Sequence, residues 1–168
     1  MTMLHRSALS LALAGAFLPA LMAVANADQL PPSQSGGVET RRLGDKTVQV
    51  DNSGKGAVLC IWSIYDAVRQ VGRECHAGQD ASFQAELEQS IARIDDFIIA
   101  NSTPPVSKEQ LDARRAQGLR GLQMHGSICA GSAEQLYQML RRGGPDALRA
   151  QTADLLSIPR EPVMNPCL

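Results

Sequence analysis

Four cysteines, Cys60, Cys75, Cys129 and Cys167, and the histidines His76 and His125 beside two of them are the residues best suited to chemistry in this 168-residue chain. His76 follows Cys75 directly, and His125 stands four residues before Cys129 with Met124 next to it. Imidazole and thioether both suit copper, and thiolate with imidazole suits zinc. A metal-binding or metal-responsive protein using His76, His125 and Met124, with copper or zinc as the ion, is therefore one reading. It weakens if the sulfurs are bonded to each other, because two imidazoles and a thioether make a sparse site. The leading expectation is no cofactor.

Other chemistries find less support. His125 and Ser127 are two residues apart, which on a helix points base and hydroxyl to different faces, and no G-x-S-x-G elbow occurs. Gly54-Lys55-Gly56 lacks the upstream glycine and the following Ser/Thr of a phosphate loop. No C-x-x-C is present, which removes the usual mark of a thioredoxin-like centre or a c-type haem. Asp95 and Asp96 are adjacent, so on a helix they diverge by about 100° and are expected on a solvated face rather than sharing a proton. An enzyme is not the expected reading.

Charge suggests a partner instead. Asp80 to Asp112 carries Asp80, Glu86, Glu88, Asp95, Asp96, Glu109 and Asp112, whereas Ala113 to Arg149 carries six arginines. Neighbouring helices of opposite charge that complement each other account for this. The functional alternative is a basic face of Arg114, Arg115, Arg120, Arg141 and Arg142 that docks on an acidic envelope protein. Near-neutral total charge gives no case for nucleic acid or an anionic membrane.

The address comes from the first 27 residues. Arg6 is followed by an uncharged run from Ala8 to Val24 and by Ala25-Asn26-Ala27, the order of a secretory signal peptide cleaved near Ala27. The run is short for a membrane span, so no span is expected in the mature chain. Cleavage removes one base and no acid, leaving 15 basic against 17 acidic side chains, a net charge of −2. An even number of cysteines behind an export signal implies disulfides, with the periplasm or the medium as destination.

These residues need elements to hold them. Residues 28–56 read as a flexible lead, rich in Pro, Ser, Gln and Gly to Gly37, followed by a short β-hairpin in which Val38 to Leu43 and Lys46 to Val50 flank Gly44-Asp45. Residues 57–168 read as a helical domain. Val58, Ile61, Trp62, Tyr65, Val68, Val71 and Cys75 recur at helical spacing, and Phe83, Leu87, Ile91, Ile94 and Ile98 do so behind an N-cap at Asp80. Asn101 to Pro105 stops that second helix.

Ser107 with Gln110 and Ser132 with Gln135 have the form of capping boxes for a third and a fourth helix. Gly118, Gly121 and Gly126 predict that the third helix ends early or that another element packs closely on it. Gly143-Gly144 ends the fourth helix, and Pro145 opens a fifth to about Ser157. Pro159, Pro162 and Pro166 make the tail an extended strap.

The fold class is thus mainly α: a small antiparallel helical bundle stapled by two disulfides, with an N-terminal hairpin and a Pro-rich C-terminal strap. Cys60 and Cys75 lie at opposite ends of one helix and cannot meet. Helices running up, down and up put Cys75 and Cys129 at one end, which predicts Cys75–Cys129 and Cys60–Cys167. The fallback is Cys60–Cys129 with Cys75–Cys167. The expected function is that of an exported, non-enzymatic envelope protein acting by protein binding, such as an accessory subunit, inhibitor or chaperone-like factor.

Overall fold

Apolar side chains at a spacing of three and four residues bury one stripe of each helix, and the structure is arranged around those stripes. A computed structural model describes residues 37–124 and 127–167, apart from the side chains of Leu119, Leu122, Gln123 and Met124. The expected signal peptide, the lead up to Gly36, and His125 lie outside the described residues.

Two strands, β1 (Val38–Leu43) and β2 (Lys46–Asp51), precede four helices, α1 (Val58–Cys75), α2 (Ala81–Asn101), α3 (Lys108–Met124) and α4 (Ser132–Leu155). The strands pair antiparallel, with Val38 opposite Asp51 and Leu43 opposite Lys46. Gly44 takes φ 65° at the first central position of the turn, as a two-residue hairpin with right-handed twist requires.

Short connections reverse the chain between helices, and α1 packs against α2, α3 and α4. Among the described residues no contact joins α3 to α4, so these two flank the α1–α2 pair on different sides. The core between them holds Trp62, Val68, Leu87, Ile94, Leu111, Tyr137 and Leu148, all buried. Gly72 lets α1 come close to α4: a Cβ there would stand 3.1 Å from the Tyr137 ring.

Helix ends differ in how they are capped. Ser107 and Gln110 form the reciprocal box, Ser107 N–H to Gln110 Oε1 at 2.8 Å and Gln110 N–H to Ser107 Oγ at 3.3 Å. The second expected box does not form. Gly131 is the N-cap of α4, Ser132 is already helical, and the Gln135 N–H donates to the Gly131 carbonyl. Asp80 does hold the N-cap position of α2, but its side chain makes no cap and instead accepts from the Tyr137 hydroxyl and Arg141 on α4.

Neither expectation holds at Gly118 or Gly121, and Gly126 lies outside the described residues. The helix continues to Met124, and no described atom lies within 4 Å of a Cβ built on Gly118 or Gly121. The expected break before Pro145 is a kink within α4, where Gly144 has φ 79° and ψ 173°.

Both disulfides have the pairing expected from the helix directions, Cys60–Cys167 and Cys75–Cys129. The strap fastens the hairpin to the bundle. Its Arg160 is fully buried against Asp51, Nε to Oδ2 at 2.6 Å, and also donates to the carbonyls of Gly56, Leu155 and Ile158. Further along, Leu59 N–H donates to the Val163 carbonyl and Asp51 N–H to the Asn165 carbonyl.

Candidate functional site

Arg115 takes the inward position on α3, four residues after buried Leu111, and meets carboxylates from two other helices. Its Nε donates to both oxygens of Asp66 on α1 at 2.8 and 2.9 Å, and its NH2 group to both oxygens of Asp95 on α2 at 2.9 and 3.0 Å. Trp62 Nε1–H adds a bond to Asp95 at 2.7 Å, and Arg69 a second cation to Asp66 at 2.9 Å. Asp95 is thus buried rather than solvated, while Asp96 is exposed. The correction has a simple cause: Asp95 lies four residues after Ile91 and three before Ile98, within the stripe that faces α1.

Burial pushes the Asp66 carboxyl up from its ordinary value of 3.8, against the pull of Arg69 and Arg115, and neighbouring Asp95 adds to the rise. This cluster ties α1, α2 and α3 together. Neither Asp66 nor Asp95 lines the two concavities described below.

The remaining arginines of the expected basic face separate in the same way. Arg141 pairs with Asp80 at 3.0 Å, and Arg149, which does not belong to that face, pairs with buried Glu86 at 2.7 Å. Arg114, Arg120 and Arg142 are exposed and make no ion pair with a described residue. Complementary neighbouring helices therefore account for Arg115, Arg141 and Arg149, and three arginines are left facing solvent.

At the Cys75 end, His76 lies flat on Tyr137 with ring centres 4.4 Å apart, and its Nε2 meets Glu134 at 3.0 Å. Hydrogen bonds from Gln138 and His76 hold the Glu134 carboxyl below its ordinary value of 4.5. His76 is accordingly engaged by Glu134, and His125 and the Met124 side chain lie outside the described residues. Among the described residues no group of three or more His, Cys, Asp or Glu side chains is placed to hold a metal ion. Lys55, of the Gly-Lys-Gly segment, pairs with Asp154 at 2.5 Å.

Two concavities stand out among the described residues. A polar cleft of about 570 Å³ lies between the hairpin, the end of α2 and the strap, with Thr40, Gln49, Asn101 and Glu161 on its walls. An apolar groove of about 260 Å³ runs between α1 and α4. Ile61, Ile64 and Tyr65 form one wall, Leu136, Met139 and Leu140 the other, and Gly143 stands where α4 approaches its kink.

Met139 is 49% exposed, a flexible side chain suited to covering or uncovering an apolar surface. Arg142 follows one turn further on α4. Burial pushes the Tyr65 hydroxyl up from its ordinary value of 10.0, so it stays protonated, and no carboxylate or imidazole lines the groove. Such a surface can bind an apolar group; it holds no base to activate a nucleophile.

Helical spacing alone assigned Ile61 and Tyr65 to the stripe of α1, and Leu136, Met139 and Leu140 have the same three- and four-residue spacing on α4. Their continuation on a side of α1 that neither α2 nor α3 covers was the available signal for a groove. Comparisons with protein-family models, with curated proteins and with solved structures find no match.

Proposed function

We propose that this chain is an exported cell-envelope protein that acts by binding another protein, and that the α1–α4 groove is where the partner docks. The observation that carries the reading is the groove itself, an apolar concavity left open on a scaffold whose four cysteines are all paired. Paired cysteines suit an oxidising compartment and agree with the signal peptide read from residues 1–27. No helix among the described residues is long and apolar enough to cross a membrane.

The partner segment that fits is amphipathic: an apolar anchor for the floor between Ile64 and Met139, and an acidic residue for Arg142 at the edge. Arg114 and Arg120 on α3 would then assist long-range attraction rather than form the contact.

The test uses the mature chain immobilised and exposed to envelope extract, beside Ile64→Glu and Met139→Glu variants. A specific partner retained by the native chain, lost from both variants and weakened by Arg142→Glu supports the reading. Equal retention by all four chains refutes it. Copper and zinc titration of the native chain and of His76→Ala addresses the metal alternative, which predicts stoichiometric binding that the substitution weakens.

A further inference from the structure

The hairpin is held at one edge and open at the other. Asp51 N–H donates outward to Asn165, and the Asn165 side chain donates to the Gln49 carbonyl, so the outer edge of β2 is taken up by the strap. Asn52 N–H donates inward to Gly37, which sets the alternation of the ladder. Glu39, Arg41 and Leu43 therefore bond across to β2, and Val38, Thr40 and Arg42 direct their backbone groups away from it. Those outward groups have no partner among the described residues; Val38 at the base of β1 is buried, Glu39 is half-buried, and the strand is exposed from Thr40 onward.

We infer that β1 pairs with β1 of a second copy of this chain, edge to edge about a two-fold axis through Thr40, making a four-stranded antiparallel sheet. Charge selects the register. An axis at Glu39 sets Glu39 against the partner's Glu39, and axes at Arg41 or Arg42 set arginine against arginine. Like charges directly opposite destabilise a sheet, and each of these registers is disfavoured.

An axis at Thr40 does the reverse. Glu39 faces the partner's Arg41 and Arg41 faces the partner's Glu39, both at the closely spaced, non-hydrogen-bonded positions where side chains meet best. Thr40 faces the partner's Thr40, a favourable pair, and Val38 faces the partner's Arg42. Six main-chain hydrogen bonds follow, two at the Thr40 pair and two at each Val38–Arg42 pair.

Two details agree with this pairing. Glu39 and Arg41 already touch within one strand at 2.9 Å, so their side chains lie on the same face, where Asn52 Nδ2 also donates to Glu39 at 2.6 Å. Val38 and Thr40 line the polar cleft that also contains Glu161. The partner's Arg42, opposite Val38 on that same face, is carried to the mouth of this cleft, where its charge complements the Glu161 carboxylate. The strap keeps the hairpin in its paired form before association, which lowers the ordering cost of adding strands. The pairing is independent of the α1–α4 groove.

Sedimentation equilibrium of the mature chain from micromolar to millimolar concentration tests this. The native chain is expected to dimerise reversibly. Thr40→Pro removes one outward N–H without touching the hairpin's own ladder, and should abolish the dimer while the circular dichroism spectrum is retained. Glu39→Arg and Arg41→Glu each convert two attractive pairs into two repulsive ones and should weaken the dimer at least about tenfold. The double reversal, Glu39→Arg with Arg41→Glu, restores opposite charges and should return the native dissociation constant.

A native chain that stays monomeric overturns the inference, as does a dimer that survives Thr40→Pro. Failure of the double reversal to recover association also overturns it. Loss of the dimer in Ile64→Glu but not in Thr40→Pro would assign self-association to the helical groove instead.

Discussion

Replacing Arg115 with methionine removes the cation that lies between Asp66 and Asp95 while keeping much of its aliphatic volume. The Arg115 side chain is 10% exposed, and those of Asp66 and Asp95 are 7% and 9%. Removing one member of a buried ion cluster costs about 3–5 kcal/mol, because the opposite charge stays buried without its partner. Asp66 keeps Arg69, and Asp95 keeps the Trp62 N–H with Lys108 at 3.9 Å, so the lower end, about 3 kcal/mol, applies here. For a domain of this size that corresponds to a Tm lower by about 10 °C.

The pH dependence gives a sharper check. The Asp66 carboxyl is raised in the folded state, so its stabilising share is present below the ordinary value of 3.8 and is lost as pH rises through the raised value. Without Arg115 that rise is larger. The penalty of Arg115→Met should therefore be full near about pH 7 and shrink toward about pH 4, where a protonated Asp66 needs no cation. Urea unfolding followed by circular dichroism, native against variant at both pH values, measures the difference. A penalty under about 1 kcal/mol at neutral pH, or one equally large in acid, refutes the account of a buried charge cluster.

Three further outcomes follow from the same structure. Cys60→Ser with Cys167→Ser opens a bond spanning 107 residues, of which the inner bond already shortcuts 54, so the loss is about 4 kcal/mol in the chain-entropy model. Hydrogen exchange should quicken first at the Asp51 and Leu59 amides, which the strap holds; unchanged protection there would show that the strap stays docked without its disulfide. Gly118→Ala should stabilise by up to about 1 kcal/mol because it adds helix propensity in open space. Gly72→Ala should forfeit that gain against the Tyr137 ring, and equal gains in thermal unfolding at both sites would contradict the close approach of α1 to α4. Glu134 is lowered in the folded state, so its contribution is present above 4.5 and lost as pH falls through the lowered value. Glu134→Gln should flatten this part of the acid limb, and an unaltered acid profile would mean that the His76–Glu134 contact has no influence on stability.

The two contacts proposed above, at the groove and at the hairpin edge, lie on separate parts of one small molecule. Apolar side chains recognise shape, whereas an open β edge recognises backbone and register. The strap holds the hairpin in place through its own Arg160, whose side chain is fully buried against Asp51.

Local signals were readable because they depend on neighbours in the chain. Alternation and Gly44-Asp45 specify the hairpin, helical spacing specifies the stripes of α1 and α2, and Ser107 with Gln110 specifies the start of α3. Even the disulfide pairing could be reasoned out, since a continuous helix keeps Cys60 from Cys75 and reversal of direction brings Cys75 toward Cys129. Arg115 was harder to place. Its position four residues after Leu111 marks it as inward, but its charge reads as surface until two acids are known to face it. Asp95 misled for the same reason, and Ser132 because a capping residue acts only if the chain enters the helix at that residue.

By itself, then, the sequence determined the periods, the turns and the mainly helical class, set by bonds and contacts a few residues apart, and it favoured one cysteine pairing over its fallback. Only the tertiary structure decided which charges are buried, which side of α1 stays uncovered and which edge of the hairpin stays open. Those depend on groups that are distant in the chain, such as Asp66 with Arg115 or Asp51 with Arg160, and on where packing stops. A surface is what the folded chain leaves unpaired, and that remainder exists only once every element has found its neighbours.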